Sequence, residues 1–177
     1  KSLVIYLLKA FSSPVVPVVI STKLCLSIIC TSSVLISISN ILSIDTSTHK
    51  TSIALAIDKK VYEHHTNDNI KASQTILASI ENIMQENNFK ASNLTGILFN
   101  KGPASFTGTR VAASVTQAIG YSFNIPVIGI SSLALMAFKF YKNNNITNIG
   151  CVKKAYGEKL YIGHYDKDWI KTYSRTL

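Results

Sequence analysis

A loop of glycine and hydroxyl residues constrains the fold of this chain more than any other feature. The segment Gly102–Arg110 reads Gly-Pro-Ala-Ser-Phe-Thr-Gly-Thr-Arg and follows the apolar run Gly96–Phe99, which predicts a buried strand. The small and apolar residues of Val111–Tyr121 predict a packed helix after the loop. Such a loop leaves backbone N–H groups free at a helix start, where they can hold a phosphate. The absence of Gly-Lys-Ser/Thr excludes a Walker loop, and an ordinary strand-to-helix connection is the alternative.

A second polar turn follows an earlier apolar run. The segment Ile41–Thr48 reads as a strand that ends in an acidic, hydroxyl-rich turn, and Thr51–Ile57 and Val61–Thr66 predict two further strands. A carboxylate and hydroxyls at such a turn suit a nucleotide phosphate or its magnesium ion. An Asx turn, in which Asp45 bonds its own backbone, is the structural alternative. The two loops supply these candidate nucleotide and phosphate ligands: Asp45, Thr46, Ser47, Thr48, Gly102, Ser105, Thr107, Gly108 and Arg110.

The rest of the chain alternates between predicted helices and strands. Apolar residues at helical spacing predict a helix over Ala72–Gln85 and another over Ser131–Tyr141. The polar segment Lys142–Asn145 is the predicted boundary between two lobes. Further strands are predicted at 127–130, 149–152 and 160–165.

Three sequence blocks, in this order, resemble the TsaB family. They are the strand with Asp45-Thr46-Ser47, the loop 102–110, and the segment Ile125–Leu133, which reads Ile-Pro-Val-Ile-Gly-Ile-Ser-Ser-Leu. Lys154–Tyr161 is similar to the family's Asp-Ala-Arg-x-x-Glu-Val-Tyr block. The resemblance spans residues 40 to 165 and implies an α/β, ribonuclease-H-like half-fold of the actin, Hsp70 and sugar-kinase (ASKHA) class. It places a first lobe at 40–142 and the start of a truncated second lobe at 143–177.

The resemblance also implies a function. TsaB proteins are non-catalytic subunits of the machinery that makes N6-threonylcarbamoyladenosine in tRNA, and they dock on the transferase TsaD. A TsaE-like ATPase, a second copy of the chain and, indirectly, tRNA are the other expected partners. No cofactor is required, and ATP or ADP is expected only at the partner interface. The expected interface lies on the exposed parts of the predicted helices 72–85 and 109–121. Its residues are Ser73, Ile76, Ile80, Ala113 and Gln117.

The chain departs from the family pattern at three positions. Ala104 replaces a glycine, which costs about 1 kcal/mol if the site needs a positive φ. Thr109 replaces a leucine, and Lys154 stands where the second-lobe block has Asp. Lys101 adds a positive charge beside the loop and can compensate in part by attracting phosphate.

No catalytic or metal centre is predicted from the sequence. The four histidines form neither HExxH nor HxxxH, and no Ser-His-Asp or Cys-His arrangement can be built. Two alternatives to a non-catalytic subunit stay open. One is an ASKHA-type phosphotransferase in which Asp45 and the loop 102–108 cradle ATP. The other is a degenerate, truncated gene product.

Composition limits the partners and the compartment. The 177 residues are 47% hydrophobic, which is enough for a core, and the net charge is +9. The basic residues are scattered and no RNA-binding motif is found, which favours a solvated basic surface over direct tRNA binding. Three cysteines without a CxxC pair are typical of a reducing compartment, and we expect a cytoplasmic protein.

The first 39 residues form an extension outside the resemblance. They lack acidic residues and are rich in Ser, Val, Ile and Leu. A secretory signal, an organellar transit peptide and a membrane-inserting segment at 15–42 are three interpretations. We favour a fourth, a mis-set start or a translated upstream stretch, which predicts that the fold does not depend on residues 1–39.

Overall fold

Two β-sheets and three α-helices make up the described part of the chain. The computed structural model describes residues 40–48, 50–58, 60–66, 70–155, 157–166 and 171–176. The interpretations of residues 1–39 therefore lie outside the described residues, and residues 40–42 of the proposed membrane segment belong to the first strand. No helix among the described residues is long and apolar enough to cross a membrane.

The first sheet has five strands, and its order is β3-β2-β1-β4-β5. Antiparallel pairing joins β1 to β2 and β2 to β3, whereas β4 lies parallel to β1 and β5 parallel to β4. The strands are β1 (Asn40–Asp45), β2 (Ser52–Ile57), β3 (Lys60–His65), β4 (Gly96–Gly102) and β5 (Val127–Ser131).

The second sheet is an antiparallel meander of three strands in the order β6-β7-β8. Its strands are β6 (Ile149–Lys154), β7 (Leu160–Tyr165) and β8 (Lys171–Thr176). The helices are α1 (Ala72–Glu86), α2 (Phe106–Phe123) and α3 (Ser132–Asn144), and a 3₁₀ turn covers Ala91–Asn93.

Helices α1 and α2 cover one face of the first sheet. Leu42 and Ile44 of β1 point to this face and are fully buried against the apolar side of α1, which includes Ile76 and Ile83. Ile76, Ile80 and Ile83 follow one another at positions i, i+4 and i+7, which places them on one side of a 3.6-residue helix as the sequence predicted. Leu77, in the same apolar run, is instead exposed.

Small residues bring α2 close to the sheet. Gly108, Ala112, Thr116 and Gly120 form a buried stripe at four-residue spacing. A Cβ at Gly108 would collide with the carbonyl oxygen of Thr46, and one at Gly120 would collide with the side chain of Val127. Ala112 and Gly120 therefore serve packing against the chain's own sheet and are not available to an approaching helix.

Helix α3 packs against both sheets. Leu135 lies with Ile41 and Leu98 on the second face of the first sheet. Phe138, Leu133 and Ala137 of the same helix pack with a cluster of the second sheet, which contains Ile149, Cys151 and Tyr165.

The α/β, ribonuclease-H-like fold class predicted from the sequence is confirmed. The mixed five-stranded sheet has its antiparallel meander first and its parallel strands afterwards, with helices between them. One detail was wrong: the segment predicted as a polar linker continues α3 as far as Asn144, and the chain leaves the helix at Asn145 in the left-handed conformation.

Candidate functional site

The turn after β1 is an Asx turn. Asp45 is 6% exposed, and its Oδ1 accepts a hydrogen bond of 2.8 Å from the backbone N–H of Ser47. Thr46 and Ser47 are buried as well, whereas Thr48 is exposed. The structural alternative for Asp45 is therefore confirmed: its carboxylate holds the turn together.

A buried asparagine joins this turn to the loop after β4. Asn100 is fully buried, and its Nδ2 donates to Oδ1 of Asp45 at 3.2 Å. Its Oδ1 accepts from the backbone N–H of Gly102 at 3.0 Å and from the hydroxyl of Ser132 at 2.7 Å. One side chain thus ties together the ends of β1 and β4 and the start of α3. Nothing in the sequence analysis identified Asn100.

The loop between β4 and α2 has a defined backbone. Gly102 has φ 90°, a left-handed conformation that favours glycine, and Gly102–Pro103 is a cis peptide bond. Ala104 is outside the positive-φ region, so the conditional cost of replacing glycine there does not arise. Ser105 is the N-cap of α2 and accepts from the backbone N–H of Gly108 at 3.4 Å.

The two predicted loops contact each other directly. The hydroxyl of Thr46 donates to the carbonyl oxygen of Gly108 at 2.7 Å, and this bond is buried. The missing Cβ at Gly108 permits this approach. The first turn of α2 is therefore held on the turn that follows β1.

A polar cleft of about 360 Å³ lies between the starts of α1 and α2. Neither helix has an acidic residue in its first turn, so the partial positive charge of both N-termini is uncompensated. Lys71 precedes α1 and lines the same cleft. Hydroxyl and glycine residues form much of the rest of the lining, and Ile70, Ala72 and Val111 add an apolar part. The hydroxyl and glycine residues are Thr46, Thr48, Ser73, Ser105, Thr107 and Gly108.

This cleft, which we call the polar cleft, contains five of the nine candidate ligands predicted from the sequence. They are Thr46, Thr48, Ser105, Thr107 and Gly108. The other four lie elsewhere: Asp45 and Ser47 are buried in the Asx turn, Gly102 is bonded to Asn100, and Arg110 faces the neighbouring groove.

The donors of the polar cleft fit a phosphate group and do not fit a magnesium site. Hydroxyls, a lysine and helix N-termini are groups that bind anions. Asp45, the carboxylate considered as a ligand of a nucleotide phosphate or its magnesium ion, is engaged with Ser47 and Asn100 instead. Within the described residues, no group of three or more His, Cys, Asp or Glu side chains could hold a metal ion.

An apolar groove continues from the polar cleft between α1 and α2. Ser73, Thr107 and Val111 line both. The side chains of Leu77 and Phe106 are 65% and 72% exposed, although both are large and apolar. The guanidinium of Arg110 lies 3.4 Å from the centre of the Phe106 ring, a cation–π contact at the rim. We call this surface the α1/α2 groove; its other lining residues are Ile76, Ser114 and Val115.

Of the predicted interface residues, Ser73 and Ile76 line this groove, whereas Ala113 and Gln117 lie outside its lining. Ser73 and Gln117 are exposed and Ala113 is half-buried, whereas Ile76 and Ile80 belong to the core under α1. The expectation that Ile76 and Ile80 lie on the exposed part of the helix is therefore corrected, because both are buried in the cluster between α1 and the sheet. Leu77, which the sequence analysis did not select, is the exposed apolar residue of α1.

A serine, a histidine and a glutamate form a row on β2 and β3. Nδ1 of His65 lies 3.1 Å from Oγ of Ser52, and its Nε2 lies 3.3 Å from Oε2 of Glu63. The sequence analysis found no such arrangement, because only the register that pairs Ser52 with His65 creates it. The row lies on β2 and the edge strand β3, and none of its three residues lines the two clefts between α1 and α2.

The second sheet places a lysine within electrostatic range of Asp45. Burial lowers the pKa of Lys153 below its ordinary value, and the negative charge of Asp45 opposes this shift. Lys153 lies on β6, so the buried turn of the first sheet faces a cation of the second.

Comparison with known proteins agrees with this architecture. The family model of TsaD, tRNA N6-adenosine threonylcarbamoyltransferase, matches residues 60–167. The TsaB protein of Buchnera aphidicola subsp. Acyrthosiphon pisum, named a tRNA threonylcarbamoyladenosine biosynthesis protein, is 32% identical over 77% of this chain and 64% of its own length. TsaB of Escherichia coli K12 is 29% identical over 72% of this chain and 55% of its own length.

A solved structure, YeaZ from Pseudomonas aeruginosa, superposes with a TM-score of 0.69 and 26% identity. The match covers 78% of this chain and 66% of YeaZ. The chain thus spans little more than half to two thirds of the length of these relatives. Since the TsaD model matches more than half of the residues and the curated relatives are TsaB proteins, the chain belongs to the TsaD family and has its relatives among the TsaB proteins.

Proposed function

We propose that this chain acts in the cytoplasm as a non-catalytic subunit for threonylcarbamoyl transfer to adenosine in tRNA, and that it docks on a TsaD-type transferase. The α1/α2 groove is the docking surface in this proposal. A second copy of the chain would compete for the same groove, and a TsaE-type ATPase would join the resulting complex. Contact with tRNA is indirect.

The observation that carries the proposal is the exposure of Leu77 and Phe106 at one groove. When a partner covers a large apolar side chain that is exposed on a helix, the complex is stabilised by about 25 cal/mol per Å² of apolar area buried. The small, polar Ser73 and Ser114 at the groove walls leave room for a partner helix. The rim adds the positive charge of Arg110, which favours a partner with an acidic residue at that point.

Calorimetric titration of the chain with the TsaD protein of the same organism tests this proposal. Leu77→Asp places a charge in the groove and should abolish binding, because a buried unpaired carboxylate is costly to desolvate. Leu77 is mostly exposed, so the thermal unfolding of the variant should match that of the wild type. The matched control is Leu160→Asp, the same change at an exposed leucine of β7, and it should bind normally.

Two results would count against docking through this groove. One is the absence of binding by the unmodified chain at tens of micromolar, which would remove the subunit role itself. The other is an equal loss in the Leu77→Asp and Leu160→Asp variants, which would move the docking surface away from α1 and α2.

We further propose that the polar cleft takes a phosphate of ADP or ATP when the partner is bound. Two helix N-termini without an acidic residue in the first turn, Lys71 and four exposed hydroxyls support this; the hydroxyls belong to Thr48, Ser73, Ser105 and Thr107. A phosphotransferase role has less support, because Asp45 is withdrawn into the Asx turn and does not line the cleft.

A further inference from the structure

Helix α2 turns one row of side chains away from the first sheet. Its buried stripe faces the sheet, and residues at three- and four-residue spacing on the opposite side are exposed. The row begins with Phe106 at the α1/α2 groove, and Tyr121 at its other end is 92% exposed. We call these residues the α2 row: Phe106, Arg110, Ser114, Gln117 and Tyr121. Arg110 is the only charged residue of α2, so the row carries one positive charge near its amino-terminal end.

Two contacts with Phe106 orient the side chain of Arg110 on this row. Nη1 of Arg110 donates to the carbonyl oxygen of Phe106 at 3.1 Å, and the guanidinium stacks on the ring of the same residue. A guanidinium has five N–H donors in a planar fork that matches a carboxylate. Among the described residues, no carboxylate forms an ion pair with Arg110. The guanidinium is therefore placed to pair with a carboxylate that comes from another molecule.

The α2 helix of a second copy of the chain has no acidic residue to offer Arg110. Two copies related by a two-fold axis present the same surface to each other, so their α2 helices pack antiparallel. With the small residues Ala113 and Ser114 at the crossing point, Arg110 of one copy lies opposite Gln117 of the other. A glutamine forms hydrogen bonds but has no negative charge, so each copy covers a cation without a counter-charge. Covering an unpaired charge costs free energy, which opposes this pairing.

The acidic residues of α1 lie outside the α1/α2 groove. They are Glu81 and Glu86, and both are exposed in the second half of the helix. Glu81 accepts a hydrogen bond of 3.0 Å from Nε2 of Gln85. The groove lining contains no Asp or Glu. The charge of Arg110 therefore complements a partner that brings a carboxylate of its own, rather than a second copy of the same groove.

We propose that Arg110 is the specificity-determining residue of the α1/α2 groove, and that it selects another protein with a carboxylate opposite Arg110 over a second copy of this chain. This inference rests on the docking function proposed for the groove and adds which partner the groove prefers. The carboxylate and the guanidinium form a charge-assisted pair, and Phe106 holds the guanidinium in place for it. Discrimination has two sources, because Arg110 attracts the carboxylate and opposes a copy that offers Gln117 instead.

Removing the charge of Arg110 should change two affinities in opposite directions. Arg110→Gln keeps a polar side chain and adds no apolar surface. Its affinity for the TsaD protein of the same organism should fall at least about tenfold, because the carboxylate of the partner is left without its cation. Its self-association should become several-fold stronger, because two copies no longer cover unpaired cations. Calorimetry measures the first affinity, and sedimentation equilibrium of the chain alone measures the second.

Matched variants separate this role from a structural one. Arg110 is exposed, so the thermal unfolding of Arg110→Gln should match that of the unmodified chain. Lys90→Gln removes another exposed positive charge, outside α1 and α2, and should change neither affinity. Arg110→Lys keeps the charge and loses the planar fork, so it should leave self-association weak and retain part of the affinity for TsaD. A damaged fold would weaken both kinds of association together.

Three outcomes would overturn the selection by Arg110 and leave the docking function standing. One is equal affinity for TsaD in the unmodified chain and in Arg110→Gln. Another is unchanged or weaker self-association of Arg110→Gln, which would show that Arg110 does not oppose the pairing of two copies. The third is self-association that weakens in Glu81→Gln, because a second copy would then supply the carboxylate. Absence of TsaD binding by the unmodified chain would instead remove the docking function, together with the selection that rests on it.

Discussion

At the scale of single residues, Asn100 shows why a buried polar site can escape sequence analysis. An asparagine inside an apolar strand looks like an interruption of the hydrophobic pattern. Its structural role depends on hydrogen bonds to Gly102 beside it and to Asp45 and Ser132, which are 55 and 32 residues away. Asp45 could be found, because a carboxylate followed by two hydroxyl residues is a local turn signal. The bond from Ser47 to Asp45 is local as well, whereas the bond from Asn100 spans 55 residues and is encoded by no local pattern.

A threonine at the polar cleft offers a matched pair for testing the phosphate proposal. Thr107→Val removes an exposed hydroxyl from the cleft, and we expect ADP binding by the complex with TsaD to weaken about tenfold to a hundredfold, because a hydrogen bond to a charged group contributes about 1.5–3 kcal/mol. Thr109→Val is the control, because that hydroxyl donates to the carbonyl oxygen of Ser105 and does not line the cleft. Calorimetric titration with ADP measures both variants. Equal affinities for ADP in the two would show that the phosphate does not bind beside Thr107.

At the scale of elements, local spacing located the helices and strands, whereas long-range packing decided their faces. The prediction of a helix over 72–85 agrees with α1 to within one residue, since its apolar residues recur at helical spacing. Helical spacing could not distinguish the exposed Leu77 from the buried Ile76 and Ile80, because the position of the sheet decides which side of α1 is buried. The row from Ser52 to Glu63 likewise depends on hairpin register.

The pairing of α3 with the second sheet predicts a decline of stability at alkaline pH. Burial raises the pKa of the Cys151 thiol and, as the main cause, that of the Tyr165 phenol. Both groups are neutral when protonated, and burial favours the neutral form. Their contribution to the free energy of unfolding is therefore complete below the pKa of the unfolded state and is lost as pH rises through the pKa of the folded state. The lowered pKa of Lys153 acts in the opposite direction and reduces the net decline.

Tyr165→Phe should therefore flatten the loss of unfolding free energy between about pH 8 and pH 11, the range in which thiols and phenols titrate. Urea unfolding at a series of pH values measures this. Tyr121→Phe is the matched control, because Tyr121 is almost fully exposed and its removal should leave the profile unchanged. An identical alkaline decline in wild type and Tyr165→Phe would show that Tyr165 does not contribute.

At the scale of the whole molecule, residues 40–177 should fold without residues 1–39. The family resemblance begins at residue 40, and the segment from Asn40 onward contributes the five paired strands of the first sheet and the apolar cluster that holds α1 and α2 on it. We expect the shortened chain to unfold cooperatively at a midpoint close to that of the full chain, measured by circular dichroism. Loss of cooperative unfolding would mean that the first 39 residues form part of the fold.

The fold class was predictable because three sequence blocks occur in a fixed order, and each marks the end of a strand. The placement of α3 was not predictable, since a single apolar helix gives no sign that it will serve two sheets. Leu135 faces one sheet and Phe138 the other, although they are separated by less than one helical turn.

Helix α3 contributes to the hydrophobic cores of both lobes, so neither lobe can be exchanged without it. A cut after Asn145 would leave α3 with the first lobe and strip Ile149, Cys151 and Tyr165 of the helix that covers them. A cut before Ser132 would remove Leu135 from the first sheet and the hydroxyl that Asn100 holds. A chimaera that exchanges one lobe for another must therefore carry a compatible α3 with it.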